Sequence, residues 1–109
     1  MAFKDINLET PQVERQWVRN ESLAVSTTSI ELAPERTRTM FMVRNNSNAD
    51  ADVLTIHVGS LPAVAGVGII LKRGESFVDS DEGAGYKCFQ GAYTIICATA
   101  NGVAVIIER

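Results

Sequence analysis

YTIICATANGVAVIIE (Tyr93–Glu108) is the stretch on which the fold turns. Two runs rich in β-branched residues, Tyr93–Thr99 and Val103–Glu108, flank Ala100-Asn101-Gly102. Branching at Cβ restricts χ1 and suits a pleated strand better than a helix. Asn-Gly tolerates positive φ at both central positions of a two-residue turn, so the stretch predicts a tight β-hairpin. Just upstream, Tyr86–Phe89 and Ala92–Thr94 flank Gln90-Gly91 and predict a second tight turn.

The same period continues toward the N-terminus. Val53–Val58 alternates, with Leu54, Ile56 and Val58 facing in and Thr55 and His57 facing out. Thr37–Arg44 places Thr37, Thr39, Phe41 and Val43 on one face and Arg38, Met40, Met42 and Arg44 on the other. Asn45–Asn48 breaks the chain with residues that favour turns. Ser26–Leu32 reads as a strand that stops at Ala33-Pro34, and Gly68–Lys72 as a short apolar strand that Arg73-Gly74 turns into Glu75–Val78. About eight short strands at spacings of about 8–12 residues, without a helical period, predict an all-β antiparallel sandwich or a partly closed barrel.

Composition shifts near residue 22. Residues 22–109 carry the strand pattern, whereas residues 1–21 scatter Phe3, Ile6, Leu8, Val13, Trp17 and Val18 among charges, with Pro11 inside. The expected organisation is an extended N-terminal arm (1–21) followed by a β-sandwich domain (22–109). Ordering an arm costs about 1–2 kcal/mol per residue, which large apolar anchors must offset on some surface. Phe3, Ile6, Leu8, Val13 and Trp17 are the candidate partner-binding residues.

The loop Gly59–Gly68 is apolar yet rich in Gly, Ala and Pro, and too long for a tight turn. Either it folds over one end of the sandwich or it is buried against another subunit, since exposed apolar surface promotes association.

The 109 residues are 46% apolar and 21% charged, with a net charge of −3, enough apolar material for one packed domain. An acidic balance argues against nucleic acid as a partner. The longest apolar stretch, Leu61–Leu71, carries Pro62, Gly66 and Gly68 and is too short for a spanning helix, so no membrane contact is expected. The N-terminus shows no apolar signal core, and synthesis in a cytoplasm would leave Cys88 and Cys97 reduced.

Reactive groups are scarce. His57 is the sole histidine and falls on the polar face of its strand, which leaves nucleophilic catalysis without a placed base. Asp79-Ser80-Asp81-Glu82 near Gly83 is a weak calcium candidate whose spacing matches no EF-hand loop, and the expected state is a solvated acidic turn. Gly66-Val67-Gly68 and Gly83-Ala84-Gly85 lack the lysine and following helix of a phosphate loop. Arg36, Arg38 and Arg44 read as solvated guards on a strand's outer face. No catalytic residue, cofactor or metal is therefore expected. What remains is binding or assembly.

Arg44-Asn-Asn-Ser-Asn48, VLTIHVG, AVAGVGIIL, Arg73-Gly-Glu-Ser-Phe77 and the closing GYKCFQGAYTIICATANGVAVIIER form an ordered series. That series, over residues 36–109, resembles small virion proteins of tailed bacteriophages. Arg73 stands where the resemblance leads one to expect Pro before Gly74. Capsid decoration or cement proteins are the type closest in size. The resemblance implies a jelly-roll-like β-sandwich acting as a dimer or trimer on the capsid surface of a virion. It would be made in the host cytoplasm and bound to the major capsid protein. A β-sandwich module of a tail or fibre, recognising a receptor or carbohydrate through Tyr86 and Tyr93, is the alternative it leaves open.

Overall fold

The computed structural model describes residues 18–82 and 85–109. Among them are eight strands: β1 (Arg19–Val25), β2 (Ile30–Ala33), β3 (Met40–Asn45), β4 (Leu54–Val58), β5 (Ile69–Leu71), β6 (Ser76–Ser80), β7 (Tyr93–Cys97) and β8 (Gly102–Glu108). They form two four-stranded antiparallel sheets, ordered β1-β8-β3-β6 and β2-β7-β4-β5. The pairs β1–β8, β2–β7, β3–β6 and β4–β5 nest inside one another, like one long hairpin whose tip is the β4–β5 loop. Successive rungs fall in alternate sheets, and the ladders β3–β8 and β4–β7 complete each sheet. This is the jelly-roll strand order, and the all-β sandwich expected from the sequence is what forms.

The core lies between the sheets, where both contribute inward residues such as Phe41, Ile106, Leu54 and Ile95. Phe41 of β3 stacks on Tyr93 of β7 with ring centroids 4.3 Å apart, and Phe77 of β6 meets Tyr93 edge-on at 6.3 Å. Three aromatic rings thus join the sheets at the end of the sandwich where β3 and β7 begin.

The predicted hairpin at Asn101-Gly102 does not form. β7 pairs with β2 and β4, and β8 pairs with β1 and β3, so residues 98–101 carry the chain from one sheet to the other. An Asn-Gly signal specifies a reversal but not which strand the returning chain will pair with. Gly102 does not use its freedom of φ. A Cβ there would stand 2.7 Å from Cys97 Sγ and 2.8 Å from Val25 O, so the glycine supplies space where the chain crosses the core edge.

The turn at Gln90-Gly91 is likewise no hairpin, because residues 86–90 join neither sheet. Other boundaries shift. β2 starts at Ile30 rather than Ser26, β3 at Met40 rather than Thr37, and the freed residues cross between sheets. β1 starts at Arg19 and so takes in three residues assigned to the arm. The anchors Phe3, Ile6, Leu8, Val13 and Trp17 lie outside the described residues.

Gly102→Ala is expected to destabilise the domain by about 1–3 kcal/mol, because both contacts are fixed by the core. Urea unfolding of the variant beside the parent measures it.

Candidate functional surfaces

Arg38 and Glu108 are the least foreseeable pair in the chain. The Glu108 side chain is 0% exposed, and its Oε2 accepts from Arg38 Nε at 2.8 Å. Its Oε1 accepts from Arg19 Nη1 at 3.0 Å and Arg36 Nη2 at 3.4 Å. The Nη groups of Arg38 donate to the carbonyls of Phe89, Gly91 and Pro34, at 2.7, 3.0 and 2.6 Å. Its guanidinium lies 5.6 and 5.7 Å from the stacked rings of Phe41 and Tyr93. The expectation that Arg36, Arg38 and Arg44 share a solvated outer face holds only for Arg44. Residues 36–38 precede the strand, so its alternation never governed them. One signal was readable: Glu108 continues the inward phase of Ala104 and Ile106 on β8.

The acidic turn is structural as well. Asp79 accepts from the Tyr86 hydroxyl through Oδ1 and from Phe89 N at 2.9 Å through Oδ2. Asp81 Oδ1 accepts from Cys88 N at 2.7 Å. Gln90 completes the arrangement. Its Oε1 accepts from Arg38 N at 2.7 Å, and its Nε2 donates to the carbonyls of Arg38 and Cys88. Side chains therefore stand in for a strand partner along residues 86–90, which strap one end of the sandwich. These carboxylates cap backbone amides rather than form a solvated turn.

Cys88 and Cys97 are both free and buried. Burial, followed by the Asp79 charge, pushes the Cys88 thiol from its ordinary 9.0 to about 11. The thiolate is the reactive form, so Cys88 is a poor nucleophile. Burial also raises the Tyr93 hydroxyl, and the bond to Asp79 raises that of Tyr86. His57 sits half-buried on the outer face of β4, opposite Thr94.

Among the described residues, two surfaces gather several exposed large apolar side chains. The first is the Gly59–Gly68 loop, which lies across the outer face of β2-β7-β4-β5 rather than over an end. Gly66 N donates to Thr55 Oγ1 at 3.0 Å, Ala63 N to Ser29 Oγ at 2.8 Å, and Thr94 Oγ1 to Leu61 O at 2.7 Å. Thr55, expected to face solvent, is buried beneath it. Gly68, at φ 135°, lets the returning chain pass against the Ile56 carbonyl, where a Cβ would collide. Polar atoms thus anchor the loop while its aliphatic side chains point away. Leu61 is 68% exposed, Val64 59%, Val67 64% and neighbouring Ile70 of β5 45%.

The second surface is a cleft of about 470 Å³ beside β6. Phe77, Val78, Asp79 and Ser80 of β6 line it together with Val58, Glu82, Tyr86, Phe89 and Tyr93. Val58, expected to face the core, lines the cleft and is exposed. Tyr86 is exposed whereas Tyr93 is buried, so the two tyrosines do not form one aromatic platform.

No family model, curated protein or solved structure matches the chain.

Two outcomes follow from this geometry. Glu108→Gln leaves three guanidiniums around a neutral group and is expected to cost about 3–5 kcal/mol, read by urea unfolding. The folded state holds the Cys88 proton more tightly than the unfolded chain. Stability attributable to it is therefore complete below about pH 9 and is lost as pH rises toward about 11. Urea midpoints measured between about pH 8 and about pH 10.5 should fall less in Cys88→Ala than in the parent.

Proposed function

We propose that this chain is a structural protein of a phage particle that binds and reinforces the capsid shell, without enzymatic activity. The observation that carries the reading is the outward-facing row Leu61, Val64, Val67 and Ile70, on a stretch (residues 58–71) that contains no charged residue. Three hydrogen bonds fix this row to the sheet, so its rotamers alone, and not the loop, must be ordered on binding. A pre-formed apolar surface of that kind suits permanent attachment to a neighbouring subunit.

The jelly roll supports the reading at the level of fold, since that architecture recurs in viral capsid domains, though it serves other functions too. The sequence adds a second element, the anchors Phe3, Ile6, Leu8, Val13 and Trp17 ahead of β1, suited to gripping an adjacent chain. In this reading the partners are the major capsid protein and further copies of the chain as a dimer or trimer. The protein would reside on the capsid surface.

Co-sedimentation of the full chain with capsid shells assembled from the major capsid protein of the same genome tests the proposal. The parent should sediment with shells, and Val64→Asp/Val67→Asp should lose about tenfold or more in affinity while keeping its fold. Trp17→Ala should weaken binding as well. A parent that stays in the supernatant, or a double variant that binds like the parent, overturns the reading.

A further inference from the structure

Among the described residues, four strands form the edges of the two sheets: β1 and β6 in one, β2 and β5 in the other. Exposed edges invite another strand, and natural sheets blunt them with charge, brevity or irregularity. β1 carries Arg19 and Glu21. β2 has four residues and a register shift between Glu31 and Ala33, and β5 has three residues. β6 differs. It runs five residues in unbroken register with β3 and contains neither Lys nor Pro. Its one charge, Asp79, is engaged by Tyr86 and Phe89.

The ladder shows which β6 groups are open. Met40 exchanges both backbone hydrogen bonds with Arg109, at 3.0 Å each, so even-numbered residues of β3 face β8 and odd-numbered ones face β6. Phe41 and Val43 oppose Asp79 and Phe77, which therefore spend their backbone groups on β3. Ser76, Val78 and Ser80 turn theirs outward. The cleft described above runs along this edge, and four large exposed side chains, Val58, Val78, Tyr86 and Phe89, gather there.

We propose that β6 is a docking edge for an extended basic strand of another protein, which would add to the β1-β8-β3-β6 sheet by backbone pairing. The alternating inward side chains of that strand would meet the Phe77, Val58 and Phe89 surface. Its Lys or Arg residues would lie at one end and meet the carboxylates of Asp79, Asp81 and Glu82, because at the other end Glu75 accepts from Lys72 N at 2.8 Å and stands beside the cations Lys72 and Arg73. Lys87 lies 4.0 Å from Asp81 and offsets one of these three carboxylates.

A second copy of β6 is the poorer occupant. A two-fold antiparallel pairing about Val78 sets Glu75 of one copy opposite Asp81 of the other. The neighbouring registers set Glu75 opposite Asp79, or Asp79 opposite Asp79. Like charges directly opposite destabilise a strand pair. The proposal stands apart from the capsid reading and would survive its failure.

Fluorescence anisotropy of the full chain with two labelled peptides tests it. One is a valine-threonine strand with two lysines at one end, and the other has two glutamates in their place. The lysine peptide should bind at least about tenfold more tightly. Val78→Pro removes an outward N–H without touching the β3 ladder and should weaken binding about tenfold, while Val78→Thr should not. Glu82→Lys should erase the preference and serves if the proline variant fails to fold. Equal binding of the two peptides, no binding of the lysine peptide, or a folded Val78→Pro that binds like the parent overturns the proposal. So does a parent dimer that Val78→Pro dissociates, which would make the edge a self-pairing one.

Discussion

A buried carboxylate held by guanidiniums fixes the closed end of this sandwich. Glu108 sits near the end of the last strand, Arg19 at the start of the first, and Arg36 and Arg38 in the crossing from β2 to β3. Through Arg38 the same group grips the carbonyls of Phe89 and Gly91. Burying charge is costly, and replacing such a pair with apolar residues is often neutral or stabilising. Its effect here is on register. A one-residue slip of β8 would turn Glu108 to the outside and Ile107 to the inside, stranding the arginines. The apolar core alone penalises that slip less, because Val105 and Ile107 would fill the positions of Ala104 and Ile106.

The same end explains why residues 86–90 need no strand partner. Asp79, Asp81, Arg38 and Gln90 supply acceptors and donors that a neighbouring strand would otherwise offer. Because these bonds come from side chains, the strap can cross the mouth of the sandwich without pairing along β6. One consequence is the open β6 edge, and another is the cleft between edge and strap. On the opposite sheet the apolar loop obeys a similar rule: a few polar anchors hold its backbone down while its aliphatic side chains face out.

Much of the fold was legible in period-two alternation. The inward positions Phe41, Val43, Leu54 and Ile56 were readable because each strand has one face on the core. The failures have a common origin. Asn101-Gly102 signals a reversal, yet whether the chain returns about 5 Å away in the same sheet or about 10 Å away in the facing one depends on which strands lie alongside. Arg38 looked like an outer-face residue because the strand was extended backwards through a sheet crossing. Asp79 and Asp81 looked solvated because the amides they cap lie seven or more residues further on.

The sequence by itself determined an all-β sandwich of about eight short strands, because the spacing of β-branched residues and turn formers is a local property. It also determined the lack of charge along residues 58–71. Only the tertiary structure decided how the strands pair, since nested pairing joins segments as distant as β1 and β8. It alone buried Arg38 on Glu108, turned Leu61, Val64, Val67 and Ile70 outward and left β6 at a sheet edge among the described residues, because each depends on contacts between segments far apart in the chain.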